Sequence, residues 1–339
     1  MVAYLLAAFI SSGYAGALAV LQPGLLATMD IDHSRQALIT GNLSALQEVV
    51  FILLMGTMGA ISDRVGRRPV YAFGLFFTAI GFTLYPFANS VGELMLYRFI
   101  VALGGAAMVG MMVTVVADYS QNHTRGHANG VQGFIATLGA FIPPILAVLP
   151  QQFVALGHTE SVAQQFTFAI GGSLGVVGAL IALFGLAPHA KPAATQAQES
   201  ILQLLKVGLR AVKDPQIALS YGAAFISRGD LAITGAFMSL WLVQYGTSEL
   251  GMTPSEAMFK LAVPRTLAIV TGAVIGSLLM GKIADRISRV SAVCLSAGMA
   301  AAVYLSVFFV SDPTQGWVMV LLLLMGIAEI SAFVSSQAL

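Results

Sequence analysis

Residues 59–69 read GAISDRVGRRP and place Asp63, Arg64, Arg67 and Arg68 within six positions of a chain that is only 9% charged and 58% hydrophobic. A second run, GKIADRISR at 281–289, repeats the skeleton: Gly59-x-x-x-Asp63-Arg64-x-x-Arg67 matches Gly281-x-x-x-Asp285-Arg286-x-x-Arg289. Charges at this spacing can form ion pairs that hold a tight turn at a water boundary. Glu48, Arg98, Arg228, Asp230 and Glu329 lie inside long apolar runs instead. An ionisable group in such a run costs roughly 2.5–3.5 kcal/mol to insert into a membrane, so each is a candidate for binding solute or carrying a proton. Arg265 and Asp118 lie nearer the ends of their runs, where a long side chain reaches water at lower cost.

The elements that must position these groups are apolar helices. A mean hydropathy of +0.86 leaves too little polar surface for a soluble domain. A spanning helix needs about 20 mostly apolar residues, and only helices or closed barrels satisfy their backbone in lipid. The runs are continuous rather than alternating, which predicts helices. Ten segments are expected, near 2–28, 42–62, 69–89, 93–117, 129–149, 164–187, 216–244, 261–284, 291–311 and 316–337. The polar stretch PHAKPAATQAQES (188–200) separates six of them from four. Residues 201–214 after it have the amphipathic pattern of a helix lying in the interface. The expected division is 1–187, 188–215 and 216–339: a six-helix bundle, a linker with an amphipathic helix, and an incomplete bundle of four.

Lysines and arginines fix the expected orientation. Arg64, Arg67, Arg68, Arg125, Lys191, Lys206, Arg210, Lys213, Lys282, Arg286 and Arg289 all fall on one side, against Arg35 and Lys260 on the other. Both ends of the chain are therefore expected to be cytoplasmic, in an inner or plasma membrane. The lone Cys294 excludes an internal disulfide, and the five histidines all lie outside the apolar runs. A net charge of +1 gives no footprint for nucleic acid. No P-loop pattern and no Ser/His/Asp constellation is present, so neither ATP hydrolysis nor other enzyme chemistry is expected. No cofactor or metal is expected. The expected partners are lipid, a small-molecule solute and protons, with the chain a monomer.

The turn GAISDRVGRRP resembles the signature loop of the major facilitator superfamily at Gly59, Asp63, Arg64, Gly66, Arg67 and Arg68. The resemblance implies an all-α polytopic membrane protein built as two pseudo-symmetric six-helix bundles, the second incomplete. About 70 residues, or two helices, are missing from the family pattern. It implies a secondary transporter working by alternating access, in which these turns and Asp118 form a cytoplasmic conformational gate, with Asp118 near Arg64 or Arg67. YRFIVALGGAA at 97–107 is similar to the family's fourth-helix arginine motif, which implies that Arg98 influences proton transfer. Glu48 lies about six residues into the second segment, at a depth matching Arg98, and an ion pair or water-bridged contact between them is expected. GAFIPPILAV (139–148) resembles the family's antiporter motif at Gly139 and Pro144 only, and its two prolines predict a bend. A uniporter of the same fold and a non-transporting membrane sensor stand as alternatives.

Overall fold

The computed structural model describes residues 1–29, 31–119, 125–187, 210–215, 217–219, 222, 234–284, 286–287 and 289–337. Its described residues form helices joined by short turns. In order these are α1 (Val2–Ala27), α2 (His33–Val65), α3 (Arg67–Leu84), α4 (Val91–Tyr119), α5 (Arg125–Gly139), α6 (Ile142–Leu146), α7 (Leu149–Ala155) and α8 (Glu160–Gly185). After the linker come a π-helical turn (Thr234–Met238), α9 (Ser239–Ser248), α10 (Pro254–Ala257), a second π turn (Met258–Ala262), α11 (Val263–Ala284), α12 (Arg289–Phe308) and α13 (Gly316–Gln337). Among the described residues, eight stretches are long and apolar enough to cross a membrane, and the apolar part of α13, Gly316–Ser331, is shorter. This is an all-α polytopic membrane protein. About half of the expected seventh segment and most of the amphipathic stretch lie outside the described residues.

Two helices differ from expectation for physical reasons. α2 begins at His33, well before the apolar run, because Asp32 caps it by accepting the Ser34 N–H at 3.0 Å. It is 33 residues long, about 50 Å, and so projects well past a hydrocarbon core of about 30 Å. The fifth segment is three helices rather than one. Pro143, Pro144 and Pro150 carry no N–H to continue the ladder, and the chain restarts at Ile142 and Leu149.

α1 is the axis of the assembly, touching α5, α6 and α8 on one side and α9 and the first π turn on the other. Within the first set of helices, α3 packs on α4 and α8. Gly104 permits that approach, since a Cβ there would meet the Thr78 backbone nitrogen at 2.4 Å. Among the later helices, α11 and α13 pack most extensively. Small residues of this kind let spanning helices gain dispersion contacts where lipid supplies no hydrophobic drive between them.

The hydrogen bonds that join the two sets of helices, among the described residues, all sit at the end away from the 59–69 turn. Ser239 Oγ donates to the Val20 carbonyl at 3.0 Å. Gln244 Nε2 donates to Gln36 Oε1 at 3.1 Å and to the His33 carbonyl at 3.0 Å. Ser255 donates to Glu160 through both its N–H, at 3.2 Å, and its hydroxyl.

Candidate functional site

The first charged turn is organised around one side chain. Gly66 ends α2 and begins α3 with φ +97° and ψ 155°, a conformation that side-chain-bearing residues rarely adopt. The sharp reversal sets Arg67 at the start of α3 directly against the last turn of α2. Arg67 Nη1 lies 2.6 Å from Asp63 Oδ1, and Nε donates to Asp118 Oδ2 at 2.8 Å. Nη1 also donates to the Ser62 hydroxyl, which itself donates to the Gly59 carbonyl at 2.6 Å. One planar guanidinium thus ties together the end of α2, the start of α3 and the end of α4, geometry that a single-point lysine charge cannot reproduce. The Arg67 side chain is only 15% exposed, while Asp63 and Asp118 are 62% and 39% exposed. Pairs this wet contribute about 0–1 kcal/mol each to stability, so their value lies in geometry.

Arg64 is exposed and Arg68 half-buried. A Cβ on Gly59 would meet no described atom within 4 Å. In the second turn, Gly281 lies in α11, Arg286 is exposed and Arg289 begins α12. Asp285 falls outside the described residues, as do Arg228 and Asp230.

Arg98 is buried at 4% exposure, and its partners are neutral. Its Nη1 donates to Gln22 Oε1 at 3.3 Å, and the Tyr85 hydroxyl donates to the same oxygen at 2.8 Å. Gln22 Nε2 in turn reaches Thr40 Oγ1 at 3.3 Å. The cluster joins α1, α2, α4 and the end of α3. No carboxylate lies within 4 Å of Arg98 among the described residues, and its Nε is buried without a hydrogen-bond partner there.

The matching depth expected of Glu48 and Arg98 is corrected by helix register. Phe51 lies against Gly105, where a Cβ would come within 2.9 Å of the ring. Glu48 is therefore level with Ala102, one turn or about 6 Å beyond Arg98. Glu48 is half-buried on α2, and Glu329 is buried at 6% exposure in α13.

Arg265 is also corrected. It does not reach for water but is buried at 6% exposure, donating Nε to the Pro313 carbonyl at 2.8 Å and Nη1 to the Leu261 carbonyl at 3.2 Å. Leu261 belongs to the second π turn, whose widened backbone leaves carbonyls available to such a donor. The Pro313 loop is held by Asp312, whose carboxylate accepts from the Thr314 N–H at 2.8 Å, the Thr314 hydroxyl at 2.7 Å and the Tyr245 hydroxyl at 3.2 Å. Thr314's hydrogen bonds, then Tyr245's, hold the Asp312 carboxyl below its ordinary range.

Sequence reasoning missed Gln22, Thr40, Tyr85, Glu160 and Gln164. Gln22 and Gln164 were detectable as amides within strongly apolar runs. Glu160, at the very start of α8, carried no signal.

A model of the Major Facilitator Superfamily matches residues 2–339. Magnetosome protein MamH of Paramagnetospirillum magneticum (strain ATCC 700264 / AMB-1) is 22% identical over 323 residues, covering 92% of this chain and 71% of that protein. Magnetosome protein MamZ of Magnetospirillum gryphiswaldense (strain DSM 6361 / JCM 21280 / NBRC 15271 / MSR-1) is 25% identical over 332 residues, 94% of this chain but 49% of MamZ. The chain thus spans about half the length of that relative. A bacterial homolog of the human lysosomal transporter Spinster, in an inward-facing and unoccupied conformation, superposes with TM-score 0.70 at 19% identity, over 99% of this chain and 73% of its own. The nucleoside transporter NupG gives TM-score 0.70 at 16% identity, over 99% and 80%. At these identities the likeness to solved structures establishes the fold.

Proposed function

Because the chain belongs to the Major Facilitator Superfamily, we propose that it is a secondary active transporter that moves a small organic solute by alternating access, coupled to protons. Membership sets aside an enzymatic reading. The observation that carries the proposal is the asymmetry of the two ends. Arg67 joins α2, α3 and α4 at one end, and every hydrogen bond between the two helix sets, among the described residues, lies at the other. A bundle whose described residues are joined at one end fits a two-state rocking mechanism. With the Arg67 turn in the cytoplasm, as the excess of lysine and arginine on its side argues, this is the inward-facing state. Residues 1–187 would then move against 216–339, with 188–215 as the tether.

In this reading Gly59, Asp63, Arg64, Gly66, Arg67, Arg68 and Asp118, with Gly281, Asp285, Arg286 and Arg289, form the inner gate. Glu48, Asp230 and Glu329 are the candidate proton carriers, and Arg98 and Arg228 the cations that bias them or meet an anionic solute group. The chain's similarity to a D-xylose-proton symporter, TM-score 0.59 at 15% identity over 98% of this chain, is compatible with proton coupling.

The second reading is a uniporter, favoured by the neutral partners of Arg98. A ligand screen by thermal shift, followed by flux of each stabilising solute into proteoliposomes that contain a pH-sensitive dye, separates the two. A solute gradient that drives proton movement supports coupling. Solute flux with an unmoved dye signal sinks coupling and leaves the uniporter.

A further inference from the structure

Buried polar atoms without a hydrogen-bond partner are costly, and their placement here is uneven. Of the five such side-chain atoms among the described residues, one belongs to Arg98 and four to Gln151, Glu160 and Gln164. Those three residues lie on α7 and α8, the elements that meet α10 at the joined end of the bundle. Glu160 and Gln164 are one turn apart on α8. Glu160 meets Ser255 of α10, and Met258 follows in the second π turn. Gln164 is fully buried, with neither amide atom partnered. A Cβ on Gly24 would come within 3.2 Å of its Nε2 and 2.8 Å of Met258 Cε, so α1, α8 and the α10 region converge there.

Closing this end therefore strands polar atoms that water would satisfy if it were open. Something must offset that penalty. The contacts from Ser239 to Val20 and from Gln244 to Gln36 are between neutral groups. Among the described residues only the Glu160 carboxylate supplies charge-assisted bonds between the two helix sets, one from the Ser255 N–H and one from its hydroxyl, and such bonds are about twice as strong as neutral ones. The neighbouring charges do not compete for it, since Glu256 is paired with Lys260 at 2.6 Å.

We propose that Glu160 is the latch of this outer end: its ionised carboxylate, held by Ser255, keeps the two helix sets together, and its release is the step that opens the bundle to the far side. The proposal deepens the alternating-access reading and rests on it. Glu160 is a positioning residue, not a solute ligand.

The test uses the full chain in sealed vesicles, with Cys294→Ser as background and Ser239→Cys as reporter. Ser239 is 2% exposed at the closed end, so a membrane-impermeant maleimide added on that side labels the parent slowly. Glu160→Gln keeps the shape and removes the charge, and should speed labelling roughly tenfold; Glu160→Ala should speed it by roughly ten- to a hundredfold. Adding Ser255→Ala to Glu160→Ala should change the rate little further, because both remove one interaction. A labelling rate for folded Glu160→Gln equal to the parent's overturns the latch, whatever the alanine variant does. Faster labelling of Glu160→Gln, beside a parent that moves no solute in the proteoliposome screen, sinks the transport reading and leaves the latch. Unchanged labelling with normal flux does the reverse.

Discussion

Arg67 Nε donates to Asp118 Oδ2 at 2.8 Å, across 51 residues of chain, while the same guanidinium holds Asp63 at 2.6 Å. The two carboxylates come from different helices, so the arginine fixes the end of α4 against the α2–α3 turn. Both acids are too exposed for these pairs to contribute much to stability. The gate reading thus separates two quantities that a merely structural pair would move together. Arg67→Lys and Asp118→Asn should each lower solute flux tenfold or more while the thermal unfolding midpoint shifts by only a degree or two. Lysine should not rescue, because it offers no fork to span two acids. Wild-type flux in Arg67→Lys would remove the gate from the mechanism.

Gly66 makes that arrangement possible. At φ +97° and ψ 155° an alanine would be strained by about 1–3 kcal/mol, and the α2–α3 reversal would relax by turning Arg67 away from its partners. Gly66→Ala should therefore lower the unfolding midpoint and flux together, in contrast to the Arg67 variants. Gly59→Ala should leave the unfolding midpoint unchanged, since its Cβ would meet no described atom within 4 Å. Detergent-solubilised melting curves beside flux assays test both.

How much of this was legible beforehand follows from the kind of pattern each feature leaves. Helices of about 20 apolar residues are visible in composition, and the duplicated turn is visible in spacing. Hidden were features created by contact. Asp32 extends α2 by capping it, and the packing of Phe51 on Gly105 sets Glu48 a turn from Arg98. Arg265 read as a residue near water, yet Pro313 and a π turn present it with carbonyls. Gln22 looked like one polar atom set in an apolar helix until three other helices brought it Arg98, Tyr85 and Thr40.

If Glu48 carries a proton, Glu48→Gln should flatten the pH dependence of transport and abolish movement of protons driven by the solute, while solute exchange at equal concentrations persists. Because Glu48 sits a turn beyond Arg98, Arg98→Lys should leave that pH profile nearly unchanged. An unaltered profile in Glu48→Gln would rule Glu48 out as a carrier.

Asp312 gives a pH dependence whose sign can be worked out. Its carboxyl is held below the ordinary range by Thr314 and Tyr245, so its stabilising contribution is complete above the unfolded-state value and is lost as pH falls through the lower folded-state value. At neutral pH, Asp312→Asn should melt below wild type, because the Thr314 and Tyr245 donors lose their anionic acceptor. The gap should hold down to about 4, the ordinary aspartate value, and close only below it, as pH falls through the lower folded-state value and the wild-type side chain becomes neutral. A gap that persists unchanged far into acid, where both side chains are neutral, would place the stabilisation in shape rather than charge.

The Gln22 cluster yields the sharpest stability prediction, because its members are fully enclosed. Gln22 Oε1 is the shared acceptor for Arg98 and Tyr85, which are 4% and 0% exposed. Gln22→Leu fits the space but leaves a buried guanidinium and a buried hydroxyl without that acceptor, at a cost of about 1–3 kcal/mol for each stranded group. Gln22→Glu places a carboxylate beside Arg98 and should be better tolerated than Gln22→Leu, because the new charge neutralises a buried cation. The order of melting midpoints should therefore be wild type or Gln22→Glu at the top and Gln22→Leu lowest by several degrees. A Gln22→Leu protein as stable as wild type would mean that Arg98 finds another acceptor, and that the neutral cluster does not hold α1 against α4.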